Sequence, residues 1–223
     1  MTDLTWLFKP KSVVLYNASP KLYYFIEGFK KSGFNLENFY LISEKEDELF
    51  GLKVLDAIDE IPINTIDLLI MAVRRERLIN ALKEVLNEKD VRFIHLFTAG
   101  TGEADEEGVK IEKEIIEVLR QPEGNTRAIG PNCMGVYCPG GHVTYSPTFP
   151  TESGPVGLIF HSGDLHSKMI LYGNLRYQLT YSKGVSVGNC VDLQVADFLQ
   201  YYEQDEETKI ICVYFEGFPR HRE

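Results

Sequence analysis

Short apolar runs alternate with longer segments of helical period through most of the chain. In the first half, apolar and β-branched runs predict strands at 12–17, 39–44, 66–73, 91–100 and 126–132. Apolar residues spaced three or four positions apart predict helices after Ser19 and Pro20, over 74–89 and over 108–121. This alternation is typical of βα units around a mainly parallel sheet.

A segment rich in proline and glycine interrupts the alternation between Tyr137 and Gly157. Such residues break helices and strands, so a connector is predicted there. Beyond it, the pattern predicts strands at 156–163, 179–189 and 208–217, and helices at about 164–175 and around 191–204. We therefore predict a first domain over 1–138, a connector over 139–155 and a second domain over 156–223. The second domain has few strands for a doubly wound fold, and we expect it to be incomplete on its own.

The charge balance limits the classes of partner. With 33 acidic and 23 basic residues among 223, the formal net charge is −10, which argues against non-specific binding to nucleic acid or anionic membranes. The four cysteines form no CxxC pair and the five histidines lack zinc-finger or HExxH spacing, so no metal site is predicted. No apolar run has the length of a signal-peptide core or a membrane span, so a cytoplasmic location with reduced thiols is expected.

The segments that follow the first five predicted strands read NASPK, SEKE, VRRER, TAGTGE and GPNCMG. Ligands of open parallel sheets bind outside the carboxyl ends of the strands, which makes these segments the candidate site. Their backbone N–H groups could hold phosphate, with Lys21, Lys45, Arg74 and Arg75 supplying positive charge. Alternatively, they are ordinary turn residues and solvated cations. NASPK lacks the GxGxxG spacing of dinucleotide sites, so NAD has little support.

The segments LFKPKSVVLYNAS, ELFGLKVLDAIDEIP, GPNCMGV, GPVGLIFHSG, GVSVGN and DEETKIICVYFEG occur in this order. Together they resemble the CoA-binding subunit of the nucleoside-diphosphate-forming (NDP-forming) acyl-CoA synthetases, the family of the ADP-forming acetyl-CoA synthetases and succinyl-CoA synthetase. The resemblance implies an α/β fold in which a Rossmann-like CoA-binding domain precedes a flavodoxin-like domain. It also implies CoA or acyl-CoA as the ligand. The implied partner is an ATP-grasp subunit or domain, in a hetero- or homo-oligomer.

The family converts acyl-CoA, phosphate and a nucleoside diphosphate to acid, CoA and a nucleoside triphosphate through a phosphohistidine. That histidine follows the glutamate matching Glu216 by some tens of residues, and no histidine of this sequence stands in the matching context. The resemblance therefore implies a CoA-binding subunit or fragment that is inactive on its own. A non-catalytic regulatory or scaffold relative is the alternative, and an NAD(H) protein is a third.

The resemblance also carries residue roles. The turns after the first, fourth and fifth strands match the family's CoA-phosphate loop, SAG turn and Pro-Asn-Cys turn, and Lys45 matches a lysine that contacts phosphate. With Lys21 and the residues after the third strand added, the predicted CoA-binding residues are Ala18, Ser19, Lys21, Lys45, Val73, Arg74, Thr98, Ala99, Gly100, Asn132 and Cys133. Ser162 and Gly163 match the start of the helix that receives the phosphoryl group, and Glu216 matches the candidate catalytic glutamate.

Several positions depart from the family pattern. FHSGDLHSKM stands where the family usually has SQSGALG, and Asp164 is expected to satisfy the helix N-terminus and repel a phosphoryl group. His161 replaces a glutamine, and the sequence offers only Asp164 to orient it, which argues against a substitute nucleophile. Asn17 replaces a glycine but tolerates a left-handed backbone. Arg74 and Arg75 replace small neutral residues and could grip phosphates or crowd out the adenine.

Two histidines and one cysteine have separate interpretations. His95 lies in an apolar strand and is predicted to be a hydrogen-bonded core residue, whereas His221 lies in a charged tail and is predicted to be solvated. Cys133 could be a metal ligand, a nucleophile, a redox thiol or a turn residue. The absence of a second ligand pair excludes metal, and a reducing compartment disfavours a disulfide with Cys138. We interpret Cys133 as a small polarizable wall of a thioester site.

Overall fold

The apolar strands of the first half form one sheet. The computed structural model describes residues 2–120 and 125–217. The strands of this sheet are β1 (Val13–Tyr16), β2 (Phe39–Ile42), β3 (Glu48–Leu49), β4 (Leu52–Leu55), β5 (Thr65–Met71), β6 (Asp90–Leu96) and β7 (Arg127–Ile129). Their order is β3-β4-β2-β1-β5-β6-β7. The pairing is parallel apart from the β3–β4 hairpin, which confirms the predicted α/β fold.

The second half forms a smaller sheet. Its strands are β8 (Gly135–Tyr137), β9 (Ser153–Phe160), β10 (Tyr181–Ser186) and β11 (Ile210–Tyr214), in the order β11-β9-β10-β8. The three later strands are parallel, as predicted, and β8 pairs antiparallel with β10. A Rossmann-like unit is therefore followed by a short flavodoxin-like one.

The helices follow the predicted periods. The described residues form α1 (Thr5–Phe8), α2 (Tyr23–Ser32), α3 (Arg75–Glu88), α4 (Glu106–Leu119), α5 (Gly163–Tyr177) and α6 (Val195–Glu203). Helix α2 begins later than predicted, because Pro20–Leu22 forms a 3₁₀ turn and the Ser19 side chain makes no capping hydrogen bond. No described helix combines the length and apolar character needed to cross a bilayer.

The strand pairing differs from the predicted domain division in one respect. Strand β8 lies within predicted domain 1–138, yet its hydrogen bonds join the second sheet. Strand β9 begins at Ser153, inside the predicted connector. Proline and glycine content therefore locates the change of sheet only approximately, because a three-residue strand can form beside a turn-rich segment. The division at 138 and 155 stays a prediction.

The β3–β4 hairpin was not predicted from the hydrophobic pattern. Its two-residue turn consists of Phe50 and Gly51, both with positive φ (52° and 76°). Two left-handed residues in succession match the twist of tight hairpins. The strands are only two and four residues long, which is too short for a clear alternating pattern.

One hydrophobic core joins the two sheets. Phe8 of α1 stacks on Tyr201 of α6 at a ring-centroid distance of 5.7 Å and meets Phe198 edge to face at 6.3 Å. The same buried cluster includes Leu15 of β1 and Val185 of β10. A second cluster lies between the first sheet and helices α3 and α4. The two sheets are thus held together by apolar burial as well as by the chain that connects them.

His95 occupies the core position predicted for it. The residue is 1% exposed, and its Nε2 lies 3.0 Å from the Cys133 carbonyl oxygen. Burial lowers the pKa of His95 to about 4, against a smaller opposing effect of that hydrogen bond. The imidazole is therefore neutral at physiological pH. His221 lies outside the described residues.

We expect the unfolding free energy to fall as the pH drops from about 6.5 to 4. In that window the unfolded chain binds a proton at His95 and the folded chain does not, a contribution of about 3 kcal/mol. His95→Gln retains a donor for the Cys133 carbonyl but does not titrate, so denaturant unfolding of this variant should depend less on pH. Equal pH dependence in both proteins would contradict the prediction.

Candidate functional site

A cleft of about 630 Å³ opens at the carboxyl ends of β1, β5 and β6. It extends over the turn after β7 to the beginning of α5. Among the residues predicted from the sequence, it is lined by Ser19, Lys21, Val73, Arg74, Thr98, Ala99, Asn132, Cys133 and Gly163. The other predicted residues lie outside this lining, namely Ala18, Lys45, Gly100, Ser162 and Glu216. The topology thus brings together residues that are far apart in the sequence.

The turn after β1 keeps the backbone conformation expected of the glycine that Asn17 replaces. Asn17 has φ of 63°, and its Nδ2 donates to the Ala72 carbonyl at 2.7 Å. This hydrogen bond ties the end of β1 to the end of β5. Ala18 is buried, and its N–H donates to the Ile42 carbonyl at 2.8 Å. Ala18 therefore supports the turn from behind.

The predicted cations divide into two groups. Lys21 and Arg74 are exposed at the cleft, and neither forms an ion pair with a described residue. Arg75 is engaged: its Nη1 donates to the Gly100 carbonyl at 2.9 Å and to Asp105 at 2.8 Å. Arg75 therefore fixes the turn after β6. Lys45 is exposed beyond the end of β2.

The GPNCMG turn is bonded to the strands beneath it. The Asn132 N–H donates to the Thr98 carbonyl at 2.8 Å, and the Thr98 hydroxyl donates to the Val73 carbonyl at 2.8 Å. Gly135 has φ of 95°, and a Cβ there would lie 2.4 Å from the His95 ring. Glycine is thus required both for the turn and for the close packing of His95.

Cys133 is a buried, neutral thiol. It is 4% exposed, its Sγ lies 3.7 Å from the Leu96 carbonyl oxygen, and burial raises its pKa well above the ordinary thiol value. A thiolate is the reactive form of cysteine, so this environment opposes nucleophilic attack by Cys133. The described residues contain no group of three or more metal-ligating side chains.

The start of α5 differs from the expectation for Asp164. The Ser162 hydroxyl accepts a hydrogen bond from the Leu165 N–H at 3.3 Å and so caps the helix. The Asp164 carboxylate instead pairs with Lys168 at 2.6 Å, one helical turn away. Opposite charges four residues apart meet on a helix surface. The prediction that Asp164 satisfies the helix N-terminus is therefore wrong.

His161 lies at the end of β9 among groups that were not predicted to surround it. Its Nδ1 accepts a hydrogen bond from the Glu216 N–H at 3.3 Å, and its Nε2 lies 3.7 Å from the Cys190 sulfur. Burial lowers the pKa of His161, and the charge of Glu216 acts in the opposite direction. The acidic neighbour of His161 is thus Glu216 rather than Asp164. Sequence reasoning missed Cys190, which has no motif of its own.

The cleft also contains residues that sequence reasoning did not select. Tyr24, Phe97 and Met134 contribute an apolar wall, and the rings of Tyr24 and Phe97 lie 6.3 Å apart. Phe97 directly precedes the turn at 98–100 (the TAG turn). Its position immediately after β6 is the signal that could have identified it. Tyr24 and Met134 resemble ordinary core residues in the sequence.

A larger cleft of about 870 Å³ lies at the opposite edge of the first sheet. It is bordered by Trp6, Arg92 and Arg127, near the amino ends of the strands. Arg92 pairs with Asp67 at 3.0 Å, and Arg127 pairs with Asp192 at 2.9 Å. Both arginines are thus paired, although Lys83 and Lys89 also line this cleft; the deciding point is that ligands of parallel sheets bind at the carboxyl edge. The smaller cleft is therefore the candidate site.

Comparison with known families matches both halves of the chain. Residues 26–139 match the CoA binding domain, and residues 153–223 match the succinyl-CoA ligase like flavodoxin domain. The first match covers about half of the chain.

Curated relatives and solved structures agree with these matches. The chain is 35% identical to the alpha subunit of acetate–CoA ligase [ADP-forming] II from Pyrococcus furiosus, over 96% of this chain and 46% of the relative. It is 34% identical to acetate–CoA ligase [ADP-forming] from Methanocaldococcus jannaschii, over 96% of this chain and 30% of the relative. Among solved structures, the chain superposes with a TM-score of 0.87 on the dinucleotide forming acetyl-coenzyme A synthetase 1 of Ca. Korarchaeum cryptofilum, in complex with phosphate and ADP. The two are 26% identical, over 100% of this chain and 47% of that one.

The chain spans about half the length, or less, of these relatives. Their similarity nevertheless extends over both sheets and over nearly all of the chain. The chain therefore belongs to the family of the NDP-forming acyl-CoA synthetases, in which a CoA-binding domain is joined to a succinyl-CoA ligase-like flavodoxin domain.

Proposed function

We propose that this chain binds CoA or acyl-CoA in the carboxyl-edge cleft, as the CoA-binding part of an NDP-forming acyl-CoA synthetase. The observation that carries the proposal is the convergence of predicted CoA-binding residues on one cleft of about 630 Å³. That volume lies in the usual range for small-molecule sites. The relatives named as acetate–CoA ligases support CoA as the ligand.

The charges at the cleft fit a polyanionic ligand. The chain as a whole is acidic, so CoA phosphates need positive charge nearby. Lys21 and Arg74 border the cleft without an ion-pair partner among the described residues, which leaves both free to bind phosphate oxygens. Lys45 adds a third cation at the same edge of the sheet. In the neighbouring turn the Ala18 N–H is already bonded to Ile42, which leaves the Ser19 N–H as the proposed backbone donor.

The opposite end of the cleft fits the thiol or thioester end of CoA. Asn132, Cys133 and Met134 lie there, beside Gly163 at the start of α5. The Cys133 thiol is neutral and already bonded to Leu96, so its role is to form a wall of the site. A reactive thiolate at this position would compete with the CoA thiol for the acyl group.

The start of α5 is the proposed phosphoryl site. Helix N-termini bind phosphate through free N–H groups, and Ser162 and Gly163 are the proposed contacts, with Glu216 as the candidate catalytic glutamate. Lys168 holds the Asp164 carboxylate in an ion pair, which reduces its repulsion of a phosphoryl group. The complete reaction requires nucleotide, and an ATP-grasp subunit or domain is the proposed partner that binds it.

A non-catalytic CoA-binding relative is the second candidate. It is favoured by the Ser162 cap and by the exposed Asp164 carboxylate in the first turn of α5, since both occupy the proposed phosphoryl site. Supplying the chain with ATP-grasp and phosphohistidine segments of a relative, together with labelled ATP, separates the candidates. Label on a histidine of the mixture that depends on this chain excludes the non-catalytic candidate.

Calorimetry with CoA tests the binding proposal directly. At a ligand concentration one hundred times Kd, binding should add about 2.7 kcal/mol to the unfolding free energy. NADH serves as the control dinucleotide and should neither bind nor displace CoA. Absence of both binding heat and thermal stabilisation at millimolar CoA would overturn the proposed function.

We expect Arg74→Glu to raise the Kd for CoA at least about tenfold, or ~1.4 kcal/mol, because it replaces a phosphate-binding cation by an anion. Lys21→Glu should act in the same direction. Lys110→Glu is the matched control, since Lys110 is exposed on α4 and pairs with Glu107 outside the cleft. Similar losses in all three variants would indicate a long-range charge effect and not a phosphate contact.

We expect Cys133→Ser to leave the Kd for CoA within about tenfold of the unmodified value, a change below ~1.4 kcal/mol. The hydroxyl retains a donor for the Leu96 carbonyl and nearly the same volume. Calorimetry of the folded variant provides the comparison. Complete loss of CoA binding would contradict the assignment of Cys133 as a wall of the site.

A further inference from the structure

Asn189 lies where the second sheet meets the turns of the first. It belongs to the turn after β10, and its N–H donates to the Pro131 carbonyl at 2.9 Å. Its side-chain Oδ1 accepts a hydrogen bond from Asn132 Nδ2 at 3.5 Å. A residue of the second half thus contacts the Pro-Asn-Cys turn through both its backbone and its side chain.

The amide nitrogen of Asn189 faces a second turn of the cleft. Nδ2 lies 2.5 Å from Glu103 Oε2, 2.7 Å from Glu112 Oε1 and 3.0 Å from Thr101 Oγ1. An amide has two N–H donors, and two carboxylates with a hydroxyl surround them. With Oδ1 facing Asn132 and Nδ2 facing carboxylates, the orientation of the amide is fixed from both sides.

Glu103 connects Asn189 to the TAG turn through hydrogen bonds to both. Its Oε1 accepts a hydrogen bond from the Gly100 N–H at 2.6 Å, and Arg75 binds the Gly100 carbonyl at 2.9 Å. Both backbone polar groups of Gly100 are therefore occupied. The Asn189 amide thus orients the Glu103 carboxylate, and that carboxylate holds the Gly100 backbone in place. Gly100 directly follows the cleft residues Thr98 and Ala99.

The electrostatics of the cluster disfavour an anion at position 189. Burial raises the pKa of Glu103. The hydrogen bonds from Asn189 and from backbone N–H groups lower that pKa by a larger amount, so it lies below the ordinary value. The other charged groups at the cluster are Glu112 and the Arg75–Asp105 ion pair. A carboxylate at position 189 would stand directly against Glu103 and Glu112.

We infer that Asn189 is a positioning residue for the CoA cleft. Its amide holds the TAG turn, through Glu103, and the Pro-Asn-Cys turn, through Asn132, in the relative arrangement that bound CoA requires. The inference rests on the proposed CoA-binding function. It assigns to the flavodoxin-like half a direct part in shaping the CoA site of the Rossmann-like half.

Asn189→Asp tests the inference, because it preserves size and the acceptor for Asn132 but replaces the donor by a carboxylate. The Kd for CoA should rise at least about tenfold at pH 8, relative to the unmodified chain at the same pH. Near pH 5.5, carboxyl groups forced together take up a proton, which restores a donor, and the ratio of the two Kd values should fall toward one. Comparing both proteins at each pH cancels titration of CoA itself.

Two further variants complete the design. Asn64→Asp is the matched control, since Asn64 Nδ2 also donates to a carboxylate, that of Asp90 at 3.0 Å, away from the cleft. It should leave the Kd for CoA unchanged at both pH values. The double variant Glu103→Gln with Asn189→Asp reverses the direction of the hydrogen bond, and the amide oxygen of the introduced glutamine can still accept from the Gly100 N–H. It should recover part of the lost affinity, because the introduced aspartate still faces the Glu112 carboxylate.

Unfolding midpoints of each variant distinguish a positioning role from a purely structural one. A folded Asn189→Asp protein with the CoA affinity of the unmodified chain at pH 8 overturns the inference and leaves the proposed function intact. If that variant does not fold, the double variant is tested alone. A folded double variant without measurable CoA binding then overturns the inference. Failure of the unmodified chain to bind CoA overturns the proposed function itself.

Discussion

Main-chain hydrogen bonds between two turns set the geometry of the whole carboxyl edge. Gly130 N–H donates to the Val187 carbonyl at 3.2 Å, and Val191 N–H donates to the Gly130 carbonyl at 3.1 Å. Gly188 permits this approach, since a Cβ there would lie 2.1 Å from the Pro131 carbonyl oxygen. Each bond stabilises the structure by only about 1 kcal/mol net, but together they allow one relative position of the two turns.

The buried part of the proposed site, beneath this junction, is built largely from neutral groups. The Asn132 N–H is bonded to the strand end beneath it, and burial keeps His95 and Cys133 uncharged. Among the described lining residues, unpaired positive charge lies at Lys21 and Arg74, whereas the Asp164 carboxylate at the other end is paired with Lys168. A neutral interior and a cationic rim match a ligand whose phosphates lie at one end and whose thioester lies at the other. The separation of charge along the cleft thus supports the proposed orientation of CoA.

The sequence predicted the fold and the location of the cleft well, because both depend on local signals. Apolar runs identified the long strands, and the rule that ligands bind at strand ends brought distant segments such as the residues near Lys21 and Cys133 to one edge. The prediction failed where a side chain has more than one available partner. Asp164 had the helix N-terminus and Lys168 available and pairs with the latter. The contacts of Asn189 depend on the junction of two sheets, which no local pattern encodes.

The surroundings of the histidines bear on how the proposed reaction divides between polypeptides. A phosphoryl carrier needs an accessible ring nitrogen beside the phosphoryl site. Of the described histidines, His95 and His166 are buried, and His142 bonds to the Ser32 carbonyl at the end of α2. His161 is near α5, but its Nδ1 accepts from Glu216 and its Nε2 faces the Cys190 sulfur. The hydrogen bond from the Glu216 backbone N–H instead lets His161 hold the main chain at the candidate catalytic glutamate. Among the described histidines, the arrangement therefore favours none as the proposed phosphoryl carrier.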